Sequence, residues 1–296
     1  MSKIATEARN GKADGLDRLA PAAVLELLAA GQQEAAKAVD RAIGSIARAA
    51  DLVAETLRDG HKLVYAGAGS SGLMAMADAL ELPGTYGIPR EQIVFLLAGG
   101  LSSLTHMEGA PEDDSILAEK DAAAIAPSDC VICVSASGST PYAVAIADIA
   151  KARGAKVIAM ANNGNAKLFH EADIRILLET PPELVAGSTR MGAGTAQKIA
   201  FNMLSTLAAI KLGHVHDGHM VNLRADNEKL RARAAGMVAE IAEIELEKAG
   251  EWLSEAGGSV KLAVLLAAGV PDLAAAQALL ARTHQVLRPA LATLGR

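Results

Sequence analysis

Three glycine- and hydroxyl-rich strings stand where apolar runs give way to helical patterns, and together they could hold an anion. The first is Gly67-Ala68-Gly69-Ser70-Ser71-Gly72. Glycines let the backbone pass close to a ligand, and the N–H groups of a helix start favour negative charge. The string also fits the dinucleotide pattern G-x-G-x-x-G. That pattern expects a carboxylate about 20 residues on, at the end of the next strand. The next apolar run ends Leu97-Ala98-Gly99-Gly100, with no carboxylate. Ser70 and Ser71 point instead to a phosphate monoester, whose oxygens accept from hydroxyls. The bland alternative is a tight turn with no ligand.

The second string is Ser135-Ala136-Ser137-Gly138-Ser139-Thr140, ahead of Pro141, a residue suited to the first turn of a helix. An N-cap needs one hydroxyl. Here Ser135, Ser137, Ser139 and Thr140 supply an excess that favours ligand binding. The third string, Gly187-Ser188-Thr189-Arg190, leads through Gly192 and Gly194 to a helical pattern from Thr195. Ser188 and Thr189 add hydroxyls and Arg190 a cation.

Other reactive residue types read as structural. Cys130 and Cys133 lie within an apolar run, where a strand buries them, rather than on the turn that a redox or metal pair needs. His214, His216 and His219 with Asp217 invite a metal reading, but a surface or interface loop is the plainer expectation.

The elements that position these strings follow from periodicity. Pro21 to Arg58 repeats apolar residues at helical spacing. Short apolar runs at 62–66, 93–98, 130–135, 156–160 and 174–178 read as buried strands. Helical patterns separate them at 71–80, 115–125, 141–153 and 195–212. Alternation of this kind implies parallel βαβ units with helices on both faces, and such sheets bind ligands at the carboxyl ends of their strands. Residues 227–249 form an amphipathic stretch, and 251–296 read as short helices of a small bundle. The expected division is 1–58, 59–220 and 221–296.

Composition narrows the function. Of 296 residues only 2% are aromatic, which argues against a platform that stacks single-stranded nucleic acid or carbohydrate. A net charge of −6 leaves no basic footprint for a nucleic-acid partner. No apolar run approaches the ~18 residues of a membrane span, and the start MSKIATEARNGKADGL lacks a signal-peptide core. A cytoplasmic location is expected.

GAGSSG followed by SASGST resembles the paired loops of the sugar isomerase (SIS) domain. Further strings resemble the N-acetylmuramic acid 6-phosphate etherase family, nearly from end to end. They are Thr6-Glu7-Ala8-Arg9-Asn10, Asp78-Ala79-Leu80-Glu81 with Pro83 and Gly87, and Glu108-Gly109-Ala110 ahead of Glu112-Asp113-Asp114. GSTRMGAGTAQK running through NMLST is the most specific, and Asn227-Glu228-Lys229-Leu230 and GSVKLA also match. The resemblance implies an α/β fold of the SIS-type three-layer sandwich, with a five-stranded parallel sheet, N-terminal helices and a small C-terminal helical bundle. It implies a homodimer with the site near the subunit interface, a sugar-phosphate substrate, and no metal or organic cofactor.

The implied reaction releases D-lactate from N-acetylmuramic acid 6-phosphate. A base takes the C2 proton of the open-chain aldehyde, an acid protonates the leaving lactate oxygen, and water adds. Two carboxyl groups in different environments can do both tasks. Glu81 matches the family's acid, and Glu112 is the candidate for the second carboxylate, with Glu108 in competition. Their bland readings are a helix-end surface residue for Glu81 and a solvated acidic cluster for Glu112.

Two positions depart from the family pattern: Leu73 and Ser139 stand where arginine is usual. A lost bidentate guanidinium weakens anion binding by about 1.5–3 kcal/mol, which leaves open a different phosphosugar ether or amide as substrate. Rival functions are another SIS isomerase or deaminase, and a non-catalytic phosphosugar sensor.

Overall fold

The computed structural model describes residues 5–295. The leading tetrapeptide, on which the absence of a signal core partly rests, and Arg296 lie outside the described residues. The chain packs as two compact units, each built from two stretches. One comprises Met1–Ala79 and Glu91–Ser205, the other Leu80–Arg90 and Thr206–Arg296.

In the first unit the predicted strands form as β1 (Leu63–Gly67), β2 (Ile93–Leu97), β3 (Cys130–Ser135), β4 (Lys156–Ala161) and β5 (Ile174–Leu177). They pair in parallel in the order β2-β1-β3-β4-β5. Gly67 at the end of β1 lies level with Leu97 of β2 and Val134 of β3. Chain direction across the sheet reverses between β1 and β3, so the loops leaving these strands flank a topological switch point.

Helices α1 (Pro21–Ala36), α2 (Ile43–Arg58), α3 (Gly69–Tyr86), α4 (Ser115–Asp121), α5 (Pro141–Ala152) and α6 (Gly192–Lys211) accompany the sheet. Their boundaries have local causes. Pro21 and Pro141 open α1 and α5, and the Asp114 carboxylate accepts the Leu117 N–H at 2.9 Å to cap α4. On α5, Ala143, Ile146, Ala147 and Ala150 pack among Val131, Cys133, Val157 and Ala159. Alanines bring the helix close to the strands, and each buried branched side chain contributes about 1.5–3 kcal/mol. Both cysteines are buried in β3 and free, and burial raises both thiol pKa values.

Helix α3 runs further than its periodicity predicts, in both directions. It starts at Gly69, so Ser70 and Ser71 sit in its first turn, and it continues through Pro83 to Tyr86. Glu81 is therefore inside a helix rather than at its end. Pro83 has no N–H for the carbonyl four residues back, which is Ala79, the last residue before the unit boundary.

The second unit contains α7 (Glu228–Ala242), α8 (Leu246–Glu255), α9 (Val260–Ala267), α10 (Leu273–Arg282) and α11 (Leu287–Ala292) around Val238, Leu253, Val264, Leu280 and Leu287. The amphipathic stretch 227–249 is two helices, because Glu243 adopts left-handed backbone and ends α7. His216 and His219 exchange backbone hydrogen bonds of 2.9 and 2.8 Å across the exposed tip Asp217-Gly218, and His216 itself is buried. Among the described residues no group of three His, Cys, Asp or Glu side chains is placed to hold a metal ion, and no helix is long and apolar enough to cross a membrane.

Lys261 of α9 is 3% exposed and donates to the Gln285 carbonyl at 2.9 Å. Burial pushes its ammonium pKa down to about 8. The folded state therefore disfavours the charged amine. The penalty is complete below pH 8 and fades as pH rises toward the ordinary value of 10.5. At about 1.4 kcal/mol per pKa unit, Lys261→Met should gain stability over wild type at pH 7, and that gain should shrink by about 2 kcal/mol at pH 9.5. Urea unfolding of both proteins at the two pH values checks this, and a constant difference would refute it.

Candidate active site

The two loops at the switch point differ in how they use their hydroxyls. Ser135 is 2% exposed and turned inward. Its oxygen accepts the Gly138 N–H at 3.0 Å and lies 2.7 Å from Thr140 Oγ1 and 3.3 Å from Ser137 Oγ. Ser137, Ser139 and Thr140 are half-buried, and Ser137 Oγ accepts the Ser139 N–H at 3.2 Å. Thr140 occupies the N-cap position of α5, yet its side chain makes no capping bond. Capping alone does not account for this loop, and the first-turn N–H groups of α5 and the outer hydroxyls suit an anion.

Across the switch point Ser70 is half-buried and Ser71 buried in the first turn of α3. The sequence distance from there to Glu112 is large, but the fold closes it. A Cβ placed on Gly69 would lie 2.6 Å from Glu112 Oε1, so the carboxylate rests against the backbone that opens α3. The loop after β2 holds it there. Ser103 donates to the Ala98 carbonyl at 2.8 Å, and a Cβ on Gly99 would meet Pro111 Cγ at 3.2 Å. Burial, and then the neighbouring charge of Asp113, raise the Glu112 pKa. Glu112 is half-buried while Glu108 is exposed. The inserted Pro111 thus leads into the residue that reaches the loop.

The third string is placed differently. It follows β5, the edge strand, with β4 between it and β3. Ser188 and Thr189 are half-buried in a turn whose amides are taken up locally, Ser188 N–H by the Val185 carbonyl and Thr189 N–H by that of Gly187, each at 2.9 Å. Helix α6 begins at Gly192, not Thr195, and its first N–H groups donate to the buried Glu183 carboxylate, from Gly192 at 3.0 Å and from Ala193 at 2.9 Å. A built-in carboxylate already fills the place an anion would take. Only its position nine residues before Gly192, after Pro181-Pro182, hinted at Glu183.

Asp78 is a further carboxylate, one to which its place in the sequence gave no role of its own. It is buried and accepts from Tyr65 Oη at 2.9 Å, Asn202 Nδ2 at 3.0 Å and Ser205 Oγ at 2.9 Å. Burial raises its pKa against the opposing effect of these donors. It ties α3 to β1 and α6. Three residues on, Glu81 is exposed on α3, and Leu73 is half-buried one turn into the same helix.

The five-stranded parallel sheet with flanking helices is the α/β sandwich of the SIS type, and the family model described as the SIS domain matches residues 28–162. Curated relatives extend the match. The N-acetylmuramic acid 6-phosphate etherase of Symbiobacterium thermophilum is 41% identical, over 91% of this chain and 91% of its own length. That of Deinococcus radiodurans is 42% identical over 89% and 88%, and that of Actinobacillus pleuropneumoniae serotype 5b is 36% identical over 98% and 96%. The chain belongs to the N-acetylmuramic acid 6-phosphate etherase family.

Proposed function

We propose that this protein is a carbon–oxygen lyase that converts N-acetylmuramic acid 6-phosphate and water to N-acetylglucosamine 6-phosphate and D-lactate, in the cytoplasm, during recycling of cell-wall sugar. The observation that carries this reading, within this family, is the Glu112 carboxylate seated against Gly69 at the hydroxyl-lined switch point, with its pKa raised by burial.

The phosphate belongs on the Ser137, Ser139 and Thr140 side, at the start of α5, because a dianion beside Glu112 would be repelled. That leaves the sugar carbons near Glu112. Once the ring opens, the C1 aldehyde makes the C2 hydrogen acidic. Glu112 takes that proton, and the electron pair of the C2–H bond is held as an enolate shared with the C1 carbonyl. It then forms the C2–C3 double bond as the C3–O bond breaks. Glu81 gives its proton to the departing lactate oxygen. Water then adds at C3, with its hydroxyl on C3 and a proton returned to C2. A carboxyl with raised pKa is a stronger base once ionised.

In this reading the acid is supplied by a second copy of the chain, in a homodimer. The exposed apolar side chains Leu101, Leu104, Met107 and Ile116, which flank Glu112 in sequence, support such an interface.

Incubation with N-acetylmuramic acid 6-phosphate in deuterated water, followed by NMR, tests the proposal. The expected result is free D-lactate with deuterium at C2 of the product. Deuterium exchange between C1 and C2 without lactate would mean an isomerase, and binding without either would mean a sensor.

A further inference from the structure

Beneath the Ser135–Thr140 loop lies a layer of polar side chains that the proposed chemistry does not use. Gln197, on α6, is 0% exposed, and its Nε2 donates to Asn162 Oδ1 at 2.9 Å. Asn162 is 2% exposed and directly follows β4. Its Nδ2 donates to Thr180 Oγ1 at 3.3 Å, and its backbone N–H donates to the Ala136 carbonyl at 3.0 Å. The next side chain, Asn163, donates from Nδ2 to the Ser137 carbonyl at 3.3 Å. One line of hydrogen bonds thus runs from the middle of the fold to two successive carbonyls of the loop.

The line has a cost. Gln197 Oε1 is buried and without a hydrogen-bond partner. An unpaired buried acceptor is destabilising, whereas methionine would fill nearly the same space with no polar atom. Packing alone gives no reason for glutamine here. The bond to Asn162 does, because Asn162 anchors both Ala136 and, through its neighbour, Ser137.

We propose that Gln197 is a positioning residue for the phosphate cradle. It fixes Asn162, and through Asn162 the backbone of residues 136–137, so that the hydroxyls of Ser137, Ser139 and Thr140 converge before the ligand arrives. Ordering done in advance is not charged against binding. The proposal rests on the reading that this loop holds the phosphate of a sugar phosphate.

The test is Gln197→Met in the full chain, with calorimetric titration of N-acetylglucosamine 6-phosphate, steady-state kinetics and thermal melting. The expected result is a Kd and a KM each raised about tenfold, a kcat within about twofold of wild type, and a melting temperature unchanged or higher. A lower melting temperature with unchanged Kd and KM would make Gln197 a packing residue and overturn the proposal. So would a loss confined to kcat.

Should the methionine variant not fold, Gln197→Glu reports the same bond. A protonated carboxyl can donate to Asn162 Oδ1, and a carboxylate cannot. Affinity relative to wild type should be near normal while that carboxyl is protonated and lost once it ionises, as followed by its infrared band, and a ratio that does not change with the ionisation overturns the proposal. Wild-type protein that binds no sugar phosphate sinks the reading of the loop and this proposal with it. Wild type and Gln197→Met binding equally well sinks only the latter.

Discussion

Glu112→Gln should lower turnover by about 10²–10⁴-fold, the usual worth of a general base, while sugar-phosphate affinity stays within about threefold. The amide keeps the shape of the group that rests on Gly69 and cannot accept the C2 proton. Deuterium incorporation at C2 should vanish together with lactate release. Glu81→Gln should lose lactate release by a similar factor yet keep C2 exchange, since proton removal precedes departure of the leaving group. The two variants therefore separate the base from the acid. If Glu112→Gln still exchanges the C2 proton and Glu108→Gln does not, the base has been misassigned. In wild type the acid limb of the pH–rate profile should fall above the ordinary carboxyl range, because burial raises the Glu112 pKa and the base works only when ionised. A limb at the value of a solvated carboxyl would contradict that.

The second large effect is expected at Gly138. Its φ of +68° is one that side-chain-bearing residues rarely adopt, and a Cβ there would lie 2.2 Å from Ala166 Cβ and 2.9 Å from Ala166 Cα. The obstacle is backbone and a methyl group, neither of which can swing aside. The loop itself must move, and with it the 3.0 Å bonds from Gly138 N–H to Ser135 Oγ and from Leu168 N–H to the Gly138 carbonyl. Gly138→Ala should weaken sugar-phosphate binding about 10–100-fold, or about 1.4–2.8 kcal/mol. It should also lower stability by about 2–4 kcal/mol, from left-handed strain plus overpacking. Gly60→Ala separates the two causes. Gly60 has a φ of +82° with nothing within 4 Å of a Cβ, and it precedes β1, away from the carboxyl ends of the strands. That variant should cost about 1–2 kcal/mol of stability and leave binding alone. Equal affinities of the Gly138→Ala variant and wild type would show that the loop does not hold the phosphate.

What the sequence determined by itself is whatever adjacent residues settle among themselves. Apolar runs of four to six residues between helical patterns dictate parallel strands, and all five form within a residue or so of their expected ends, β1, β3 and β4 buried and the edge strands β2 and β5 only partly so. Pro141 fixes the start of α5, and Asp114 caps α4 through Leu117, three residues on. The loops that glycine and serine mark lie at the ends of β1 and β3, because strand-to-helix turns are a local matter. Where local signals conflict the sequence misled. The helical pattern stops at residue 80, but α3 continues through Pro83 to Tyr86.

The tertiary structure alone decided which carboxylates meet which backbone. Glu112 reaches Gly69 from 43 positions away, and only the pairing of β1 with β2 brings the loop after β2 over the start of α3. Glu183 closes the start of α6, the apparent third anion site, with a charge of its own. Gln197 meets Asn162 across 35 positions, and Asp78 meets Ser205 across 127. These are side-chain contacts between elements remote in the chain. Their energies depend on burial and on the exclusion of water, and no local pattern of residue types encodes either.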